Sequence, residues 1–358
     1  MSPAYQEKTY LWARCFSLSI WLREYDKDWK FVNRAKEVIV MRLLGLSCGR
    51  KMGNSEILLK EALMKAEKMG GIDVEIIRLH DLTIKPCTGC GACFGTKKPK
   101  PEACPIKDDV AFLWDRIMEC DGLIVSLPVY ILTPPGYYKV FCDRALHDVS
   151  FQMEMKKLGI ETPGDERSFK PRAGAFIAVG GAPLPYWVSL GLPLMYCLTF
   201  PRQIEIVDQL QVLGAGNPGQ VLLDKEAMKR AGKLGRHVAE AMGKLGKVFG
   251  EVKYMGDEPG TCPVCHTNLM VVGKESPIEC AVCGIKGTIK VDNGKITVTF
   301  PEGEQKKSRL TLAGKAIHFY EIGDMNREFQ RNKDKITQEM IDKYKSYKSY
   351  SLPPAGKG

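Results

Sequence analysis

MRLLGLSCGRKMGNSEILLKEAL, residues 41–63, sets an apolar run, a loop of small and cationic residues and an amphipathic segment one after another. Met41 to Leu46 is a short apolar run of strand length. It breaks at Ser47-Cys48-Gly49, and small and cationic residues lead on to Asn54-Ser55. From Ser55 to Met69, apolar residues recur at helical spacing (Ile57, Leu58, Leu59, Ala62, Leu63, Ala66), and Gly70-Gly71 stops the helix. Strand, loop and helix follow one another within thirty residues or so, which is how alternating α/β chains begin.

The alternation continues downstream. Val74 to Leu79 reads as a second strand, and Asp108-Asp109 starts a helix through Ile117, its acids suited to the positive end of the helix dipole. Gly122 to Leu127 is wholly apolar, as expected for the centre of a parallel sheet. Residues 136–146 read as a helix, and Ala173 to Val179 as a fourth strand ending in Gly180-Gly181. Ile204 to Leu213 supplies a fifth strand, and Lys225 to Leu245 a long helix. The class predicted is α/β, a doubly wound parallel sheet.

The chain has 358 residues, 44% of them hydrophobic, enough for a sizeable core and against wholesale disorder. The formal charge of +10 reads as a solvated basic surface, or as attraction for anionic nucleotides or an acidic electron-transfer partner. No apolar run approaches the roughly 18 residues that span a bilayer, and no secretory signal with a cleavage site precedes the first strand. Eight of the thirteen cysteines fall in two tight clusters, which suits metal binding in a reducing cytoplasm better than a secreted disulfide scaffold.

The loop at 47–55 can receive a phosphate. Small residues let backbone N–H groups approach an anion, and the following helix adds its positive end. Ser47, Asn54 and Ser55 offer side-chain hydrogen bonds, and Arg50 or Lys51 offers charge. The loop lacks G-x-G-x-x-G and G-x-x-x-x-G-K-[ST], which disfavours the common dinucleotide and Walker sites. The third strand ends in Leu127-Pro128-Val129-Tyr130, followed by Thr133-Pro134-Pro135-Gly136 and then Asp143-Arg144.

With Gly53-Asn54-Ser55, Pro128-Val129-Tyr130 and Asp143-Arg144 in that order, residues 41–246 resemble the NADPH-dependent FMN reductase family of the flavodoxin-like superfamily. The resemblance implies a five-stranded sheet in the order 2-1-3-4-5 with FMN at its carboxyl edge. Ser47, Arg50, Lys51, Asn54 and Ser55 would hold the phosphate. Pro128, Val129, Tyr130 and Ile131 would border the isoalloxazine ring, with Gly180, Gly181 and Ala182 at its other edge. The family commonly pairs subunits around the flavin, so a dimer or tetramer is expected. The loop departs from the common form: it is one residue shorter, and Cys48 replaces the usual small residue.

Cys87, Cys90 and Cys93 form C-x-x-C-x-x-C, and Cys104 follows after ten more residues. Such a set can hold an iron–sulfur cluster, bind zinc or act as redox thiols. The resemblance narrows here to the iron–sulfur flavoproteins, a branch of the same family with a compact four-cysteine motif and an Asp-Asp helix start. It implies a [4Fe–4S] cluster, with Lys97 to Pro101 as a loop insertion. Cys262, Cys265, Cys280 and Cys283 form C-x2-C-x14-C-x2-C, two knuckles for one tetrahedral ion. The short gap resembles a zinc ribbon more than a rubredoxin, and zinc or mononuclear iron are the two candidates.

The expected organisation is an N-terminal extension (1–40), a flavodoxin-like domain (41–249) carrying the cysteine loop 86–105, a four-cysteine β module (250–303) and a basic helical tail (304–358). In the module, Gly287–Val291 and Lys295–Phe300 read as a hairpin closed by Asp292-Asn293-Gly294. Lys36 to Ile39 can be encoded as a ribosome-binding sequence, so native translation is expected to begin at Met41. The function expected is an FMN-dependent oxidoreductase. It would take electrons from NAD(P)H or ferredoxin and pass them, through FMN and the cluster, to a small-molecule or protein acceptor. Two other readings stand beside it: a cluster-free NAD(P)H:quinone or FMN reductase, and a flavin-binding regulator whose zinc ribbon binds protein or nucleic acid.

Overall fold

The computed structural model describes residues 40–92, 104–144, 149–159, 165–246, 250, 252–257, 260–275 and 277–347. The extension before residue 40, Cys93, the Lys97–Pro101 stretch and the last residues of the tail lie outside them.

The strands form where the apolar runs are. In chain order they are β1 (Met41–Ser47), β2 (Ile72–Arg78), β3 (Gly122–Pro128), β4 (Arg172–Val179) and β5 (Ile204–Val212). All four pairings are parallel, and the sheet order is β2-β1-β3-β4-β5, as the resemblance implies. The helices are α1 (Asn54–Glu67), α2 (Val110–Glu119), α3 (Gly136–Cys142), α4 (Val149–Lys157), the short α5 (Gly191–Met195) and α6 (Lys225–Met242). The helix expected over 136–146 ends at Cys142, and α4 and α5 had no counterpart in the sequence reading.

Side chains alternate across the sheet and build two apolar layers. Leu44, Leu46, Leu123, Val125 and Leu127 join Trp114, Ile117, Tyr138 and Phe141 on one face. Leu43, Ile124 and Ile177 join Ile57, Leu58, Leu63, Leu234 and Val238 on the other. On that second face α1 and α6 approach unusually closely. A Cβ on Gly235 would overlap the carbonyl oxygen of Ala62, and one on Gly232 would lie 2.9 Å from Lys65 Cγ.

The C-terminal part is an antiparallel sheet of β6 (Met270–Val271), β7 (Ile278–Cys280), β8 (Lys286–Asp292) and β9 (Lys295–Thr299). The β8–β9 hairpin turns at Asn293-Gly294, both at positive φ as such a turn requires. Cys262, Cys265, Cys280, Cys283, Ile285, Phe300 and Leu310 belong to the same apolar cluster as Tyr196 and Leu198, so the module shares the core of the main sheet. Helices α7 (Glu302–Gln305), α8 (Leu312–Asn332) and α9 (Gln338–Lys345) follow. Helix α8 returns to α4, where Tyr320 donates to Glu154 at 2.6 Å. Among the described residues, no helix is long and apolar enough to cross a membrane.

The α1–α6 contact yields a direct test. Alanine favours a helix interior over glycine by about 1 kcal/mol, while the overlap at Ala62 costs about 1–3 kcal/mol or more. Gly235→Ala is expected to lower stability by about 1–2 kcal/mol in denaturant unfolding, and an equal or higher midpoint would contradict this packing.

Candidate functional site

Strand β1 ends at Ser47, and Cys48 continues its pairing by donating its N–H to Ser126 at 2.8 Å. The chain then turns through Gly49–Gly53 into α1. Met52 takes a left-handed φ of 53°, and the Gly53 N–H bonds the Arg50 carbonyl at 3.0 Å. Gly53 precedes the helix with no side-chain cap, so the first N–H groups of α1 are left for another acceptor.

Beneath this loop lies Glu56, fully buried. It receives Arg78 Nε at 2.9 Å and Lys60 Nζ at 2.7 Å, and the Ser47 hydroxyl at 3.4 Å. Burial alone would raise its carboxyl, but the bonds from Arg78 and Lys60 outweigh it and hold the pKa down to about 2. Tyr137 ties the loop to α3 by donating to the Cys48 carbonyl.

Asn54 faces the opposite way. Its Nδ2 donates to the carbonyls of Ala215 (2.7 Å) and Asn217 (2.8 Å), and its Oδ1 accepts the Val221 N–H at 3.2 Å. The side chain expected to hold a phosphate is thus engaged with the loop after β5, and what Asn54 offers a ligand is its backbone. Ser47 is likewise buried under the loop with its hydroxyl toward Glu56, whereas Arg50 and Lys51 are exposed.

These elements frame a cleft of about 220 Å³ at the carboxyl ends of the strands, lined by Arg50, Gly53, Asn54, Ser55, Pro128, Val129, Tyr130, Val179, Gly181, Ala215 and Gly216. Seven of the expected residues line it or begin its turns; Val179, Ala215 and Gly216 were missed, although the Gly214–Gly219 stretch marked a loop there. A Cβ on Gly181 would lie 3.2 Å from the Gly216 Cα, so two backbones meet at the rim. Gly180 is buried, since a Cβ there would overlap Val188, and Ala182 accepts the Gly214 N–H at 3.0 Å.

After β3, Tyr130 and Thr133 pair across a two-residue turn, Ile131-Leu132, with φ of 47° and 73°. Neither residue is suited to that region, and the β-branched Ile131 is 93% exposed beside the cleft. Tyr186 and Trp187, ring centroids 5.4 Å apart, stand exposed on the turn that leaves Gly181.

The first cysteine loop has a fastened neck. Thr83 N–H donates to Asp109 (2.7 Å) and Lys85 N–H to Asp108 (2.9 Å), while the Asp109 N–H returns to the Thr83 carbonyl at 2.9 Å. The buried Arg144 guanidinium bonds Asp108 (2.7 Å), the Lys85 carbonyl (2.8 Å) and Cys104 Sγ (3.3 Å). The two acids expected to serve the helix dipole therefore close the loop. Cys87 and Cys90 are exposed, and Cys104 is half-buried. Gly89 donates to Cys87 Sγ at 3.4 Å, and the backbone N–H of Ala92 with the Thr88 hydroxyl lowers the Cys90 thiol. These are donor patterns that suit thiolate ligands, although Cys93 lies outside the described residues.

The second set is assembled. The Sγ atoms of Cys262, Cys265, Cys280 and Cys283 all lie within 4.8 Å of one another and all four residues are buried. A tetrahedron around one ion at a metal–sulfur distance of about 2.3 Å has an edge of about 3.8 Å, which these four thiols match; a cubane would spread its thiolates wider. Four buried thiols this close repel one another when ionised, so a cation among them is what lets the set carry more negative charge.

Residues 41–185 match the NADPH-dependent FMN reductase family. Over 296 residues the chain is 37% identical to flavone synthase cfoJ of Aspergillus candidus, covering 79% of this chain and 88% of that protein. It is 35% identical over 130 residues to iron-sulfur flavoprotein MJ1083 of Methanocaldococcus jannaschii, covering 36% of this chain and 64% of that protein. Among solved structures, a flavone reductase superposes with a TM-score of 0.71 at 25% identity, covering 87% of this chain and all of that one.

The buried carboxylate under the loop sets a pH dependence. Glu56 titrates near 2 when folded and near 4.3 when unfolded, so its pairing stabilises the fold above about pH 4.3 and is lost as pH falls toward 2. Glu56→Gln is expected to cost about 3 kcal/mol at neutral pH, the gap to wild type narrowing through pH 4 to 2 in unfolding experiments. A gap that does not change with pH would contradict the assignment.

Proposed function

From the premise that the chain belongs to the NADPH-dependent FMN reductase family, we propose that it holds FMN in the carboxyl-edge cleft and passes electrons from NAD(P)H to a planar aromatic acceptor. It is a flavin-dependent oxidoreductase. The observation that carries the reading is the meeting, in one cleft, of an uncapped helix start, an exposed arginine and two glycine backbones.

The donor set fits the cofactor. The backbone N–H groups of Asn54 and Ser55 and the Arg50 guanidinium would take the phosphate, and Lys51 would add charge from the rim. Pro128, Val129 and Tyr130 would border the ring on one side. Gly181, without a side chain, would let its other edge reach the backbone. FMN bound there supplies hydride transfer and single-electron exchange. Tyr130, Ile131, Tyr186 and Trp187 would then form the wall against which the acceptor lies. Two similar proteins, a flavone synthase and a flavone reductase, make a flavone-like aromatic ketone the first acceptor to try.

The first cysteine loop favours a second electron route. Cys87, Cys90, Cys93 and Cys104 would hold an iron–sulfur cluster, whose fourth ligand is steadied by Arg144. Relatives named iron-sulfur flavoproteins support this reading. The single-ion spacing of Cys262, Cys265, Cys280 and Cys283 favours zinc, with mononuclear iron second. Exposed thiols at Cys87 and Cys90 suit a reducing compartment such as the cytoplasm.

Anaerobic purification with flavin, metal and sulfide analysis tests these assignments together. The expected result is a flavin spectrum, one zinc, and about four irons with four sulfides for a cubane. Arg50→Glu is expected to weaken FMN binding at least about tenfold, by placing a like charge at the phosphate. A protein that takes up no flavin, or an Arg50→Glu variant that binds FMN as wild type does, would refute the site.

A further inference from the structure

We infer that the four-cysteine ion site and the flavin pocket are energetically linked, with Tyr196 as the positioning residue at the joint; the inference rests on the FMN reading above.

The link is a strut of chain between the two sites. At one end, Gly191 packs where its Cβ would lie 2.7 Å from Val129 Cγ2, and Val129 lines the cleft. In the middle, the Met195 carbonyl accepts the buried Tyr138 hydroxyl at 2.6 Å. At the other end, the Tyr196 hydroxyl, itself buried, donates to the Cys265 carbonyl at 2.6 Å. Gln209 of β5 donates to both the Tyr196 hydroxyl and that carbonyl, at 3.0 Å each. The Tyr196 ring stands edge-on to Phe176 of β4, centroids 5.1 Å apart. Lys315, from the helix beyond the module, bonds the carbonyls of Thr199 (3.3 Å) and Arg202 (2.6 Å), which fastens the end of the same turn.

The acceptor of this joint is the backbone of a metal knuckle. A module of this size, whose centre is four crowded thiols, keeps its knuckle geometry when an ion holds it. Without the ion, the Cys265 carbonyl is free to move off the buried Tyr196 hydroxyl and the half-buried Gln209 amide. An unpaired buried donor is costly, and the cost is relieved when residues 191–198 shift, which disturbs Val129 at the flavin. The state that binds FMN well is therefore the state with the ion in place, and linkage makes the effect reciprocal.

The test is an equilibrium competition on the full chain reconstituted with zinc. Zinc is partitioned between the protein and a chromophoric chelator, with and without saturating FMN. The expected result is at least about fivefold tighter zinc binding with FMN, and FMN affinity weakened by the same factor after zinc removal. Tyr196→Phe keeps the ring and loses the hydroxyl; it is expected to bind zinc and FMN singly but with the ratio reduced to near one. Gln209→Leu, which removes the second donor and leaves Tyr196 in place, is expected to lower the ratio as well and serves if the first variant does not fold. Equal zinc affinity with and without FMN in the wild type overturns the linkage. A wild-type ratio kept by both variants overturns the role of Tyr196. If the zinc-loaded protein binds no FMN, the flavin reading itself has failed.

Discussion

The amide of Asn54 is buried between two loops that follow strands far apart in the sequence. It makes three hydrogen bonds to the loop after β5 while its own backbone starts α1. Those bonds hold the start of α1 and the Gly214–Val221 loop together, and they set the width of the cleft between them. Around this contact the other parts take their places. Glu56 and Arg78 brace the loop from below, and Gly181 and Gly216 meet at the rim. A buried amide with every atom bonded has one low-energy arrangement, and a cleft built on it is formed before any ligand arrives.

The same economy of polar ties organises the two cysteine regions. Arg144 fastens the neck of the first loop to the core, so the four cysteines between Lys85 and Asp108 are carried on a segment with a bonded root even though Cys87 and Cys90 face solvent. The second set is buried and shares its core with Tyr196 and Leu198. One set opens toward solvent, and the other is closed inside the core. The acids, the arginine and the tyrosine that make this distinction lie outside both cysteine motifs.

Much of the sheet was legible in the sequence because β1, β3 and β4 are apolar runs and α1 has a clear helical period. The order of the strands came from the resemblance of Gly53-Asn54-Ser55 and Pro128-Val129-Tyr130 to a family, and the pairings agree. The segment 185–198 was not legible: it is a series of single turns, too short for any period to show. Asn54 read as a phosphate donor because a side-chain amide before a helix looks the same whether it faces a ligand or a distant loop. Asp108 and Asp109 read as dipole acids for a similar reason, since their partners Thr83 and Lys85 lie across a long excursion of chain. Ala215 and Gly216 line the cleft with backbone, and backbone leaves no mark in side-chain patterns.

The proposed function stands or falls with FMN in the cleft at the carboxyl edge, its phosphate at the start of α1. Amide hydrogen exchange on the full chain, with and without FMN, tests this placement. Slowed exchange is expected in Gly49–Ser55, Val129–Tyr130, Gly180–Ala182 and Ala215–Gly216, with little change on the amino side of the sheet around Arg42, Asp73 and Glu119. Protection confined to the amino side, or absent from residues 49–55, would contradict it.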